Sequence, residues 1–301
     1  MQRIMTAICA VLFFTPLEAS IAESLSVYTH RQPALLEPIL DAYTKQSGVE
    51  FKIVYSPKGL VQRLQSEGSA TPADLVITVD INRVYELSKT DLLATLSSSK
   101  INKQVPAHLR DKNDKWTGLS LRARIAAVST QRVSQSEVSS LADFAEPRLK
   151  GRVCTRKGSH VYNRALLASI IANDGDAAAR KWAKGLVKNL ARKPQGNDRA
   201  QAKAIYSGEC DVALMNTYYY GKMKFNNKNP EQKKWAESLR LVFLDQKGRG
   251  QHVNISAAAV LKASKKQAAA VEFIEWLTSP EAQLLYTKVN YEYPVNPKVN
   301  P

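Results

Sequence analysis

The chain has 301 residues, and 43 Lys and Arg against 27 Asp and Glu give it a formal charge of +16. Such a charge suits nucleic acid, an anionic membrane face or anionic ligands. The basic residues are spread through helical patterns such as "RKWAKGLVKNLARK" and "LKASKKQ" and form no single tract, and an export signal excludes nucleic acid as the partner.

That signal is the opening stretch, "MQRIMTAICAVLFFTPLEASIAES". A basic residue, Arg3, precedes an apolar run from Ile4 to Phe14, and small residues end the segment at Ala22. This pattern reads as a secretory leader over residues 1–22, cleaved after Ala22. The apolar run is too short to span a bilayer. Cys9 lies inside the run and not at the cut, so no lipid anchor is expected. The mature chain is expected in the periplasm, with length enough for two lobes.

In chain order, "LSVYTH" reads as a strand, "PALLEPILDAYTKQSG" as a helix stopped by Gly48, and "VEFKIVYS" as a strand. "KGLVQRLQSEG" reads as a helix, "ADLVITVD" as a buried strand ending at Asp80, and "INRVYELSKTDLL" as a helix. This alternation with short connections predicts an open, mainly parallel sheet, with ligands at the carboxyl ends of its strands. The long apolar run "WTGLSLRARIAAVST" leads into a second lobe. "LADFAEPRLKGRVCTRKGSHVYNRALLASIIAND" predicts helix, strand, turn and helix, and its "KGSH" turn offers free backbone N–H groups to an anion. Two further helices and the strand "CDVALMN" follow. "NISAAAVLKAS" is a strand, "KKQAAAVEFIEWLTSPEAQLLYTKVN" two helices split at Pro280, and "YEYPVNP" an extended tail. The expected lobes are 23–117 with about 250–290, and 118–249, the tail 291–301 being a candidate addition to the second. Cys154 and Cys210, an even pair in an oxidising compartment, predict one disulfide between neighbouring strands, two buried thiols being the alternative.

The unusual segment is "MNTYYYGKMKF", where Tyr218, Tyr219 and Tyr220 stand in a row at a strand-to-helix junction. Tyr162 lies at an equivalent junction. A free phenol has a pKa of about 10, so phenolates form at neutral pH only beside a strong cation. Hard oxygen donors suit hard cations, and Fe(III) most favours phenolate. Zinc would want Cys or His, and calcium a carboxylate-rich loop, which the sequence lacks.

These segments, together with "SEGSATPADLVITVD", "LRARIAAV", "KPQGNDRAQAKAIYSGECDVALMNTYYYG", "HVNISAAAV" and "SPEAQLLYTKVNYEYPVNP", resemble the periplasmic ferric-binding proteins of bacterial ABC iron importers. The resemblance covers nearly the whole mature chain. It implies an α/β, two-lobed type II periplasmic-binding-protein fold: two mixed, mostly parallel sheets flanked by helices, with the ligand cleft between the lobes. It implies Fe(3+) as the transported ligand, bound by Tyr162, Tyr218 and Tyr219, with carbonate, citrate or another synergistic anion. Tyr220 is then structural. Arg31 and Arg122 match cleft arginines that would hold the anion. The family's first-lobe ligand follows a pattern like "YxxRHY"; here "YTHRQP" puts Gln32 and Pro33 in its place, leaving His30, Gln32 or the anion to substitute. Lys222 stands where some relatives have arginine. Asp80 is a cleft-wall or hinge residue, or simply a helix cap. The mechanism implied is lobe closure on the ligand by a monomer that then docks on an inner-membrane permease and its ATPase.

Two other readings stay open. The same fold binds oxyanions or small organic solutes, and the arginines and the "KGSH" turn with Ser159 suit an anion. A secreted enzyme is disfavoured: adjacent Ser159 and His160 diverge, and the sequence holds no GxSxG or HExxH motif.

Overall fold

The computed structural model describes residues 24–300; the leader and its cleavage point lie outside the described residues. The first elements are β1 (Ser24–Thr29), α1 (Glu37–Ser47), β2 (Glu50–Tyr55), α2 (Leu60–Glu67), β3 (Leu75–Thr78), α3 (Ile81–Ser88), α4 (Ser99–Gln104) and β4 (Thr117–Ser129). α1 stops where expected: Gly48 takes a left-handed conformation (φ 77°) and its N–H donates to the Thr44 carbonyl, a conformation glycine adopts without penalty. All of β3 is buried, which explains its unbroken apolar run. β1 pairs in parallel with both β2 and β3.

The chain continues with β5 (Val153–Cys154), α5 (Val161–Asp174), α6 (Asp176–Lys188), α7 (Asp198–Tyr206), β6 (Val212–Asn216), α8 (Thr217–Lys224), α9 (Glu231–Glu237) and β7 (Leu239–Val242). β8 (Val253–Val260), α10 (Gln267–Leu277), α11 (Pro280–Asn290) and β9 (Tyr293–Pro294) complete it. Pro280 opens α11 at a position whose N–H has no helical partner. The helix expected over "LADFAEPRL" is instead two short 3-10 turns, Ala142–Ala145 and Pro147–Leu149. Pro147 lacks an N–H and disfavours helical geometry in the residue before it, so the turns cannot fuse.

The sheet order is β2-β1-β3-β8-β4-β6-β5, with β7 and β9 also on β4. The sheets are mixed, as expected, but the balance differs: β4 pairs antiparallel with β6, β7, β8 and β9, and β8 antiparallel with β3. The physical reason is β4 itself. Residues 117–123 of β4 pair with β8, and residues 124–129 pair with β6 and β7, so one long strand serves both sheets. The cores divide at the same place. Leu119 and Ile255 belong to a cluster built on β1, β3, α10 and α11. Ala123, Ile125 and Ala126 belong to clusters built on α5, α7 and β6. Val295 of the C-terminal tail packs in the first cluster, and β9 lies on Ser120 and Leu121. Among the described residues no helix is long and apolar enough to cross a membrane.

Candidate metal centre

Between the two groups of cores lies a cavity of about 1040 Å³. His30, Arg31, Gln32 and Asp80 line it from the side of β1 and β3, Arg122 from β4, and Tyr162, Tyr218, Tyr219 and Lys222 from α5 and α8. Nine residues singled out in the sequence thus meet in one cleft. Ser159 is exposed, and neither it nor Tyr220 is among the lining residues. Tyr220 packs instead against the cluster of Met215 and Met223, with the Lys224 ammonium 5.8 Å from its ring centre.

The triplet opens α8 directly after β6, so successive side chains fan around the helix axis. Tyr218 is buried, and Tyr219 and Tyr220 are half-buried. The Tyr162 and Tyr218 hydroxyls are 2.7 Å apart, and either can be the donor. The rings of Tyr218 and Tyr219 lie with centroids 4.5 Å apart. Burial pushes the Tyr162 and Tyr218 phenols above their ordinary range; Tyr219 adds to both, and the shared hydrogen bond raises Tyr218 while lowering Tyr162. Both are therefore protonated at neutral pH. Among the described residues no group of three His, Cys, Asp or Glu could hold a metal ion; the clustered donors here are phenols.

Beneath Tyr162 sits a buried ionic frame that the sequence reading missed. Asp198, fully buried, accepts from Arg124 Nη1 at 2.7 Å, from Arg156 Nη1 at 3.1 Å and from the Asn216 N–H at 2.8 Å. Arg124 Nη2 donates to Asn163, the residue after Tyr162, at 2.9 Å. The guanidinium carbons of Arg156 and Arg124 stand 4.9 and 5.7 Å from the Tyr162 ring centre. The Tyr162 N–H donates to His160 Nδ1 at 3.2 Å, His160 being the helix cap. Burial, then the Arg156 charge, hold that imidazole down to about 4, so it is neutral and able to accept. Behind the site, the Cys154–Cys210 disulfide ties β5 to the approach of β6, strands that pair as expected. It joins the segments that lead to Tyr162 and Tyr218.

On the opposite wall His30 is buried, and its Nδ1 has no hydrogen-bond partner. Burial, then Arg83, lower its pKa to about 3, leaving a neutral nitrogen donor. Gln32 is exposed and precedes the 3-10 turn Pro33–Leu35. Asp80 caps α3, accepting from the Arg83 N–H at 3.1 Å and pairing with its guanidinium at 3.1 Å. Arg31 lines the cleft with most of its guanidinium engaged elsewhere, its Nε alone being without a partner. Its terminal nitrogens already donate to Asn290 at 2.6 Å, Ser256 at 2.6 Å and Glu292 at 2.9 Å, because the C-terminal turn folds back onto β1. Arg122 donates to the Val79 carbonyl. Six basic side chains, those of Arg31, Arg83, Arg122, Arg199, Lys222 and Lys228, line the cleft against the two carboxylates of Asp80 and Glu292, and both carboxylates are paired with arginines. Burial lowers the pKa of Lys222. Arg199 stands 5.2 Å from the Tyr219 ring centre. Arg199 and Glu292 both lie within segments quoted for the family resemblance, the one signal that could have found them.

Two α/β lobes sharing a long strand, with a polar cleft between them, define the two-lobed solute-binding proteins. The chain belongs to the bacterial extracellular solute-binding protein family, whose description matches residues 39–301. It is 37 % identical over 274 residues to iron uptake protein A1 of Synechocystis sp., covering 91 % of this chain and 76 % of the relative. The Bordetella ferric binding protein superposes with a TM-score of 0.87 at 41 % identity, covering 92 % of this chain and 88 % of that one. A Trichodesmium protein in complex with iron and citrate ligands superposes with a TM-score of 0.86 at 38 % identity, covering 92 % and 88 %.

Proposed function

We propose that this protein captures ferric iron in the inter-lobe cleft through the phenolates of Tyr162, Tyr218 and Tyr219, completes the shell with an anion, and delivers the cargo to an ABC permease and its ATPase. The observation that carries the reading is the convergence of phenols, two of them with hydroxyls 2.7 Å apart, in a cleft where six basic side chains face two carboxylates. Three phenolates neutralise one Fe(III). The surplus positive charge of the walls then favours an added anion, carbonate or a polycarboxylate such as citrate, consistent with the iron and citrate carried by the Trichodesmium relative. The first-lobe donor is His30, whose buried Nδ1 is neutral and lacks a partner. Lobe one is assigned to residues 24–123 and about 250–290, with the tail packed on it, and lobe two to 124–249. Periplasmic location and the leader belong to the same reading. No catalytic role is assigned to any residue.

The test is a visible absorption titration of the iron-stripped protein with ferric nitrilotriacetate, with and without bicarbonate, repeated for Tyr218→Phe. The expected result is a saturable phenolate-to-iron charge-transfer band that Tyr218→Phe weakens or shifts. An absent band, with no iron retained after desalting, defeats the assignment and leaves an oxyanion or a small organic solute as the cargo of the same cleft.

A further inference from the structure

Tyr291 and Glu292 line the cleft wall without a part in the proposed iron shell. Tyr291 ends α11, whose Ala282 and Tyr286 lie in the first core. It holds a left-handed conformation, φ 60°, uncommon for a residue with a Cβ and concentrated at clamps and switches. Its side chain crosses to α8 in the other lobe. A Cβ built on Gly221 would meet Tyr291 ring carbons at 2.5 and 2.9 Å. The same ring stacks on Phe225, with centroids 5.8 Å apart and planes within 10°. Gly221 follows Tyr218 at i+3 on α8, and Phe225 caps the end of that helix, its N–H donating to the Gly221 carbonyl. Tyr291 therefore rests on the helical face that presents Tyr218 to the cleft.

The turn carrying Tyr291 is clasped from both sides by one guanidinium. Arg31 Nη1 donates to Asn290 at 2.6 Å and Nη2 to Glu292 at 2.9 Å. Ser120 of β4 also donates to Glu292, and Asn290 donates to the Leu35 carbonyl at 3.2 Å. Arg31 follows β1, beside His30 and Gln32.

We propose that Tyr291 is a positioning residue through which the first lobe grips the tyrosine helix, and that Arg31 is the anchor of its turn and not a clamp for the anion. This rests on the ferric reading of α8. Closing the cleft then presses Tyr291 onto Gly221, a position where any side chain would hold the lobes apart. The cargo-binding face of one lobe is thereby tied to the first-lobe wall without Tyr291 touching iron.

The experiment uses the full mature protein with nitroxide labels at the exposed positions 45 and 181, one in each lobe, and compares Gly221→Ala, Tyr291→Ala and the double variant. Alanine raises helix propensity at position 221, so loosening in Gly221→Ala reports the collision and not a weakened helix. The expected result is a longer inter-label distance and about tenfold faster iron release in Gly221→Ala, the scale expected of an overpacked contact. In the double variant the clashing ring carbons are gone, the remaining Tyr291 Cβ at 3.0 Å needs a shift of only a few tenths of an ångström, and both readouts match Tyr291→Ala alone. Wild-type distances and release in Gly221→Ala, or simple addition in the double variant, overturn the grip. A second arm tests the anchor with Arg31→Lys. Faster release that vanishes in a Tyr291→Ala background, unaffected by bicarbonate or citrate, supports it; release that depends on the anion and persists without Tyr291 assigns Arg31 to the anion instead. Should wild type show no ferric band, the ferric reading fails by itself, and the label distances still decide whether Tyr291 couples the lobes.

Discussion

Asp198 is the residue on which the wall carrying Tyr162 and Tyr218 depends. It is fully buried between Arg124 and Arg156 and also accepts the N–H of Asn216, the residue before α8. Asp198→Asn leaves two buried guanidinium groups facing each other without their shared counter-charge. Breaking a buried pair in this way costs about 3–5 kcal/mol, and urea unfolding of the variant should show a loss of that size together with a weakened ferric band. Glu292 makes a pH prediction. Burial pushes its carboxyl up, but Arg31, Arg122 and the Ser120 and Arg31 hydrogen bonds pull it further down, to a net value below the ordinary glutamate range. A depressed folded pKa means stability that is present above the unfolded value, about 4.3, and lost as pH falls through the folded one. Unfolding free energy measured from pH 6 downward should therefore drop in that acid window, and Glu292→Gln should lack this part of the slope. An equal slope in the variant would show that Glu292 does not carry it.

Among the elements, β5 and β6 do most to set the site, because Tyr162 follows one and Tyr218 the other. They share a parallel ladder only two residue pairs long, and the Cys154–Cys210 bridge closes a 56-residue separation beside it. Removing a native disulfide typically costs about 2–5 kcal/mol. Cys154→Ser/Cys210→Ser should lose an amount in that range on thermal or denaturant unfolding, with weaker ferric binding than expected of a remote change, since the two phenol-bearing segments would no longer be held together. Helices whose ends the sequence marked formed where expected. Gly48 stops α1 and Pro280 opens α11, and both work through their own backbone chemistry. The "LADFAEPRL" segment did not form a helix, because Pro147 interrupts a stretch too short to recover.

For the whole molecule, β4 is the decisive feature. Because residues 117–123 serve one sheet and 124–129 the other, the lobes are joined by a strand whose ends are fixed in different cores, a joint suited to hinge closure. The surplus of basic side chains around the cleft predicts electrostatic attraction of an anionic ferric chelate. Stopped-flow loading from ferric citrate should slow as salt rises from 20 to 500 mM, since screening acts over about 10 Å at 0.1 M. A rate independent of salt would mean that the basic lining has no steering role.

The sequence by itself determined what depends on neighbours along the chain: the alternation of strands and helices, the cysteine pair, and three phenols at a strand-to-helix junction with a fourth at another. Periodicity, caps and residue chemistry act over a few positions, so they can be read without the fold. It also carried the resemblance that pointed to Tyr162, Tyr218 and Tyr219. The tertiary structure alone decided which charges meet. Arg31 and Glu292 are 261 positions apart and Arg124 and Asp198 are 74, and nothing local marks either pair. For the same reason nothing local showed that Arg31, read from sequence as an anion ligand, also bonds Asn290, Ser256 and Glu292, and the antiparallel pairings of β4 outnumbered the parallel ones expected from the βα alternation. Partner choice between distant strands and distant charges is set by how the chain packs back on itself, and that information is shared across the whole core.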